Sequence, residues 1–570
     1  MIFHPLDFVE APPLVPARGR GALELGGGAV VSAAFAASLG FNFGIGNQLS
    51  YLLPSLRLLD PTLLARDWFA TETTLYHPLF TRLGALLLAL DRHGGAVALT
   101  FTLLVTLSGL VLYALCRTLA GPRAGLAAFL LTMALAFVTR TAGPAVTYVF
   151  DATLQPSTLS SAFFLAAAAS FAAGRSGLSG VLLGVSGLWH VNLLLLSAPA
   201  FGIGQLLLGR RGLGRRLLWQ LTPSLGACLW FSPMLLAALA PVPHADLARH
   251  VFMAIRAPHH FVIRNQLLAF LPLAGWQLVA TGLVLPLVRT PEHAPFARFS
   301  ALLGGTLAVV WLGTLGGLAS PRAANLFAWR LAPHAELMLE LLSAAAAVRA
   351  LLEPTLLARA SRAAKTTVLV GLVLLLVVYF SRDDRRPGMV LLAAAALFAT
   401  WSRTRMKQAG PGLLAALGGV LLCYFAVGPL RRIPSHSSLF APRPQALLGL
   451  EFWLRERSPK QALLLTPPDE ESLRFWGERA IVVDWKGAPA LPREVLEWYR
   501  RLGDVLGRPA PQGVDALEGY RTLDAERVEA LRKSYGIDFV VVRRAQAEGL
   551  RVYPRAFENS GYVVLRVTPR

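Results

Sequence analysis

The chain has 570 residues, of which 55% are hydrophobic and 15% charged, and its formal net charge is +21. That balance excludes a string of ordinary soluble domains and points to a protein that crosses a membrane many times. The positive charge does not argue for nucleic acid, because the basic residues cluster in short connections between apolar runs, as topology signals do.

Apolar runs long enough to cross about 30 Å of hydrocarbon recur from residue 27 to residue 430. Windows of about 19 residues place spans near 27–44, 96–117, 124–140, 158–173, 178–191, 192–208, 217–240, 266–288, 299–319, 336–352, 365–380, 388–401 and 411–429. The expected architecture is an α-helical polytopic membrane protein of about 11–13 spans with a small C-terminal α/β extracytoplasmic domain. Segment 1–26 is then a cytoplasmic N-terminal stretch, 27–430 the multi-span domain, 431–443 a linker and 444–570 the soluble domain. Cys116, Cys228 and Cys423 all lie inside apolar runs without metal or disulfide spacing.

Orientation rests on "GRRGLGRR", whose Arg210, Arg211, Arg215 and Arg216 mark the cytoplasmic side. By alternation the N-terminus is cytoplasmic, and the large connections 45–95, 141–157, 241–265 and 320–335 face outward together with the C-terminal domain. "SRDDRRP" at 381–387 is the one violation. The expected location is a bacterial cytoplasmic membrane.

In the first outer connection, "YHPLFTRLGALLLALDRHG" is amphipathic and too short to span, so it suits a helix lying at the interface. Just before it stands Asp67, a candidate site carboxylate whose alternative role is a helix cap; Asp60, before Pro61, reads as a cap. Glu72 reads as solvated and His77 as a helix start. The second connection carries Arg140, Tyr148 and Asp151, the last either a cap or a site residue. His190, between Trp189 and Asn192, is either a hydrogen-bonded core residue or the lining of a polar cavity.

The third connection, "RAPHHFVIRNQ", offers Arg256, His259, His260 and Arg264. No third ligand lies nearby, so a phosphate or sugar site using Arg and His is favoured over a metal. The fourth supplies Arg322, Arg330 and His334; Arg330 is poised to snorkel to headgroups or to hold one phosphate. GxSxG, HExxH and Walker sequences are absent, and no cofactor is expected. In the tail, "QALLLTPP" and "AIVVDW" read as strands, "PREVLEWYRRLGDVL" as a helix, "DAERVEALRKSYGIDFVVVRR" as a capped helix followed by a strand, and "GYVVLRVTP" as a closing strand of a mostly parallel sheet.

The long first outer connection with its acid, the interfacial helix after "ARDWFATETTLYHP" and the outer α/β tail together resemble the C-type glycosyltransferase (GT-C) superfamily. More narrowly, "NQLSYLLPSLRLLDPTLLARDW", "RAPHHF" and "TPPDEESLRFWGERAIVVDWKGAPALPREVLEWYRRL" look like a family of bacterial multi-span proteins related to that fold. The resemblance implies a membrane glycosyltransferase that moves a sugar from a polyprenyl-phosphate carrier to an extracytoplasmic acceptor, with membrane lipid as surroundings. It implies Asp67 as general base and Arg330, with Arg256 or Arg264, as the phosphate-binding set. Asp67 is followed by Trp68 and not by a second acid, which departs from many members. The alternatives are a transporter or flippase of a lipid-linked envelope precursor, or a non-catalytic envelope assembly protein.

Overall fold

Apolar runs bounded by glycine and by capping carboxylates become helices where the sequence places them. The computed structural model describes residues 20–122, 124–139, 142–285, 287, 294–352, 361–381, 437–439, 443–508 and 514–567. The expected spans 388–401 and 411–429, the "SRDDRRP" segment after Ser381, Arg140 and most of the linker lie outside these residues.

The first long helix, α1 (Arg20–Leu39), is followed by four short ones: α2 (Gln48–Tyr51), α3 (Leu53–Leu59), α4 (Trp68–Glu72) and α5 (Pro78–Leu90). Then come α6 (Gly95–Ala120), α7 (Gly125–Thr139), α8 (Pro156–Ala172), α9 (Ser176–Trp189), α10 (Val191–Leu207), α11 (Leu213–Trp230) and α12 (Ser232–Leu239). The Asp91 carboxylate shows how such a helix begins: it accepts from the backbone N–H groups of His93, Gly95 and Ala96, so the first turn of α6 is satisfied. Gly121, at φ 88°, ends the helix.

The body continues with α13 (Ala245–His250), a π-turn at Val251–Arg256, α14 (Pro258–Phe261), a 3-10 turn at Ile263–Phe270, α15 (Leu271–Val284), α16 (Ala294–Ala319), α17 (Pro321–Ala324), α18 (Ala332–Leu352) and α19 (Arg362–Phe380). Six described helical stretches are long and apolar enough to span: Ala22–Leu39, Gly95–Ala120, Ile263–Val284, Ala294–Ala319, Pro321–Leu351 and Arg362–Phe380. The pair α11 and α12, bent by 71°, makes a seventh if it is one broken span. Pro78–Leu90, Gly125–Phe137, Pro156–Ala172, Ser176–Trp189 and Val191–Leu207 are apolar but shorter.

Small residues let these helices approach. Ser160 and Ser186 hydrogen-bond between α8 and α9, each hydroxyl 2.8 Å from the other's carbonyl. A Cβ on Gly305 would strike the Ala200 carbonyl of α10, so only glycine permits that crossing. The central helix is α18, 94% of whose spanning window is buried, and it carries two acids the sequence reading passed over: Glu336, which accepts from the Tyr379 hydroxyl at 3.3 Å, and Glu340.

The C-terminal region contains α20 (Gln445–Arg457), β3 (Leu463–Leu465), α21 (Leu473–Trp476), β4 (Ala480–Ile481), α22 (Pro492–Leu506), α23 (Ala525–Tyr535), β5 (Phe539–Arg543), β6 (Arg555–Glu558) and β7 (Tyr562–Arg566); β1 (Ala142–Gly143) and β2 (Thr147–Tyr148) form a small ribbon in the body. The strand order is β4-β3-β5-β7-β6. β3 lies parallel to β4 and β5, but β7 runs antiparallel to both β5 and β6. The sheet is therefore mixed, not mostly parallel. Gly561 sits in the tight turn that folds β6 onto β7 as a hairpin, and a hairpin pairs antiparallel by construction.

The domain sits on the body across a broad joint. Ala248, Val251 and Ile255 belong to the same apolar core as Val482, Trp485 and Trp498. Arg66 pairs with Asp538 at 2.6 Å and also donates to the Gly536 carbonyl. The Tyr76 hydroxyl donates to Glu494 at 2.6 Å and accepts from the N–H groups of Ala490 and Leu491. Gly44, at φ 62°, places its carbonyl 3.0 Å from the Trp476 indole nitrogen, and an added Cβ would run into that indole. Gly44→Ala is thus expected to lower stability by roughly 1–3 kcal/mol, through clash and left-handed strain together. Its thermal midpoint in detergent is the check.

Candidate functional site

Several turns between the helices of the body adopt conformations that side chains rarely tolerate. His77, Ala145, Val146 and Phe327 all have positive φ, between 50° and 62°. Such strain persists only where the surroundings enforce it, and it gathers at functional sites.

Arg256 ends the π-turn that follows α13. Val251 and Ile255 of that turn are buried in the domain core, which fixes the guanidinium against the domain. It lies 5.5 Å from the Trp485 ring centre and donates to the Lys486 carbonyl at 3.5 Å. Its Nε is buried and finds no hydrogen-bond partner among the described residues, so one strong donor is unspent.

His259 and His260 follow on α14, with rings 4.1 Å apart. Nδ1 of His260 is 2.7 Å from the Ala145 carbonyl, which places the proton there and leaves Nε2 as an acceptor. Burial, opposed by that hydrogen bond and reinforced by His259, Arg330 and Arg256, takes the His260 imidazole down to about 4. His259, more exposed, is lowered by burial and by the charges of Arg256 and Lys486. The indole of Trp329 donates to the His260 carbonyl at 2.8 Å, tying α14 to the turn that carries Arg330. Arg330 lies 5.6 Å from the Phe327 ring centre, and its charge bears on Tyr51, His77 and His260.

Tyr51, His77 and His190 form a second set of rings. Tyr51 meets His77 edge-on at 5.2 Å, and His77 lies 5.3 Å from His190. His77 donates through Nδ1 to the Trp189 carbonyl at 3.2 Å, and burial lowers its pKa to about 4. His190 Nδ1 accepts from the Leu193 N–H at 3.3 Å, so this buried histidine caps α10.

Neutral His77 and His260 have a consequence for stability. Their folded pKa values lie below the unfolded value of about 6.5, so the unfolded chain takes up protons first as pH falls. Their contribution is fully present above pH 6.5 and is lost as pH drops toward 4. The thermal midpoint is expected to fall across that window, and His77→Asn with His260→Asn is expected to flatten the slope.

The acids divide into two groups. Asp151 accepts from its neighbour's N–H at 2.8 Å and from Gln155 at 2.8 Å, and its charge reaches Tyr51 and Lys486. Glu471 faces Lys486 and Arg256; burial raises its carboxyl, and those cations oppose the shift. Burial also pulls the Lys486 ammonium down, against the support of Glu471.

Asp67 belongs elsewhere. It caps α4 through the Ala70 N–H at 3.0 Å, and its other oxygen accepts from Arg474 Nε at 2.9 Å and the Ile481 N–H at 3.0 Å. It has no exposed surface. Arg474 continues to Asp484 at 2.8 Å, and Asp484 in turn acts on Arg256. The cap alternative thus describes what Asp67 does, extended into a bridge between body and domain. With three donors in place, it turns no oxygen toward open space.

Other expected residues also separate. Arg264 is exposed on the 3-10 turn and joins no described ion pair, and Arg322 is exposed on α17. His334 turns inward, with Nε2 3.0 Å from the Ser161 hydroxyl, packed on Phe164. Asp60 caps its own turn and reaches Lys460 at 3.2 Å. Among the described residues, no group of three His, Cys, Asp or Glu side chains is placed to hold a metal ion.

What sequence reasoning missed is the domain's contribution: Glu471, Arg474, Asp484 and Lys486. The signal was available, since "DEES" and "DWK" lie in the loops that follow strands β3 and β4, where an α/β sheet presents its ligand-facing groups.

Residues 446–505, which carry all four of those side chains, match a family described as a domain of unknown function, DUF6798. No curated protein matches the sequence. Among the solved structures similar to the chain are two membrane proteins. ArnT from Cupriavidus metallidurans in the apo state is 15% identical over 96% of this chain and 97% of that one, with a TM-score of 0.46. An oligosaccharyltransferase from Archaeoglobus fulgidus, in complex with Zn and sulfate, is 12% identical over 90% of this chain and 68% of that one, with a TM-score of 0.41.

Proposed function

We propose that the protein is a membrane glycosyltransferase of the GT-C type, acting on a polyprenyl-phosphate-linked sugar on the outward face of a bacterial cytoplasmic membrane. The observation that carries the reading is a closed circuit of charges. Arg256 acts on His259, His260 and Lys486, Arg330 on His260 and Tyr51, and Asp151 on Tyr51 and Lys486. Asp151 and Glu471 thus both bear on Lys486, Glu471 bears also on Arg256, and Arg256 has an unspent donor. A transferase that expels a phosphate needs both parts.

In this reading Asp151 takes the proton of the acceptor hydroxyl. The acceptor oxygen bonds to the anomeric carbon, and the bond from that carbon to the carrier phosphate oxygen breaks. The phosphate leaves with the electron pair. Arg256, Arg330 and Lys486 stabilise the charge it gains, Arg256 through the free Nε. Neutral His259 and His260 offer hydrogen bonds without adding charge. Helix α5 lies beside the site, where a lipid carrier would enter from the membrane. Asp67 acts through Arg474 and Asp484, as a positioning residue.

The test is transfer of radiolabelled sugar from a polyprenyl-phosphate donor in proteoliposomes. Asp151→Asn is expected to reduce transfer at least 100-fold while leaving the thermal midpoint within a few degrees. Asp67→Asn should instead lower the midpoint, with a smaller loss of rate. Undiminished transfer by Asp151→Asn would sink the assignment of the base.

A further inference from the structure

A cleft of about 370 Å³ opens in the C-terminal domain, apart from the charge circuit. Its position follows from the sheet. From β3 the chain crosses to β4 on one side, while β5, on the other side of β3, leads away to β6 and β7. The carboxyl ends of β3 and β5 thus flank a topological switch point, the place where open α/β sheets bind ligands. Pro467 and Asp469 follow β3 into the cleft, and Arg543 closes β5 there.

The chemistry of the lining narrows the ligand. Arg543 donates to Asp469 at 2.5 Å and to Glu470 at 3.3 Å, and Arg521 donates to Glu518 at 3.1 Å. Each cation is already neutralised within the cleft, so neither a phosphate nor a polycation gains a net attraction there. What remains is a set of carboxylate acceptors and guanidinium donors held side by side, with Leu517 and Pro467 between them. Paired hydroxyls with apolar C–H faces complement such a lining, and the volume suits a ligand of small-molecule size.

We propose that this cleft is a saccharide subsite that takes one or two sugar rings of a neutral glycan. Glu471 of the charge circuit lies two residues beyond Asp469 on the same loop. A glycan seated here therefore ends one loop away from the reacting groups. Its role as the acceptor's docking point rests on the transferase reading, whereas its binding of glycan does not.

The test uses the full-length protein in nanodiscs on an array of neutral, sulfated, phosphorylated and sialylated oligosaccharides, followed by titration with the best-retained neutral disaccharide. Neutral glycans are expected to be retained above empty nanodiscs. Glu518→Gln and Arg521→Gln, both with exposed side chains, should each weaken the disaccharide about tenfold. Failure to retain any neutral glycan, stronger retention of anionic glycans, or unchanged affinity in both variants would overturn the proposal. Asp151→Asn is expected to keep glycan binding and lose transfer. Binding retained with transfer undiminished refutes the transferase base alone, and transfer lost with no glycan bound refutes the subsite alone.

Discussion

Arg474→Met is expected to lower folding stability by about 3–5 kcal/mol, the largest effect of any single substitution at the joint. The guanidinium is 3% exposed and stands between Asp67, 0% exposed, and Asp484, 2% exposed. Burial works against its charge, but the two carboxylates outweigh burial and hold it protonated. Removing it leaves two buried carboxylates facing each other without a counter-charge, a far costlier state than removing the pair as a whole. The fully neutral triple variant, with Asp67→Asn and Asp484→Asn added, should therefore recover part of the loss. Thermal unfolding in detergent measures the first effect, and a mutant cycle measures the recovery. Limited proteolysis should show the C-terminal domain released before the helical body. Equal stability of Arg474→Met and the parent would mean that the bridge is not what holds the domain.

Arg330→Gln carries the second large effect, a loss of sugar transfer of about 100-fold or more, with most of it in kcat. The guanidinium sits beside Phe327, its charge bears on Tyr51, His77 and His260, and among the described residues no acid is paired with it. A positive charge so placed is costly unless a ligand supplies the negative one. Arg330→Lys should restore part of the rate, because an ammonium keeps the charge but loses the planar fork. A loss confined to KM, or full activity in Arg330→Gln, would move the phosphate elsewhere on the circuit. Occupancy by a phosphate-bearing lipid should also raise the thermal midpoint of the parent more than that of Arg330→Gln.

Much of the architecture was readable from residue order because one-dimensional signals suffice for it. Apolar run length locates α1, α6, α16 and α19. Pro78 and Asp91 bound the short helix α5, and Asp524 and Gly536 cap α23 so directly that its ends follow from the sequence. The candidate site was legible only in part. Arg256, His260 and Arg330 attract notice because cations and imidazoles are rare at the ends of apolar runs. Their grouping depends on how three separate connections fold over one another, which no local pattern encodes.

Asp67 marks the boundary between the two kinds of knowledge. Its local sequence allows a cap or a catalytic acid, and composition cannot choose between them. The choice was made by Arg474, 407 residues further along the chain, whose guanidinium reaches back and takes the second oxygen. Lys486 and Glu471 join the circuit by the same route, brought to Asp151 and Arg256 by the docking of a domain that sequence alone leaves detached. Sequence by itself determined most of the described helices, the small C-terminal sheet-containing domain and a shortlist of charged residues, because periodicity, capping and desolvation act locally. Only the tertiary structure decided that Asp67 is buried in a bridge and that the charge of Asp151 bears on Lys486, because that outcome depends on long-range pairing of charges that must be neutralised once they leave water.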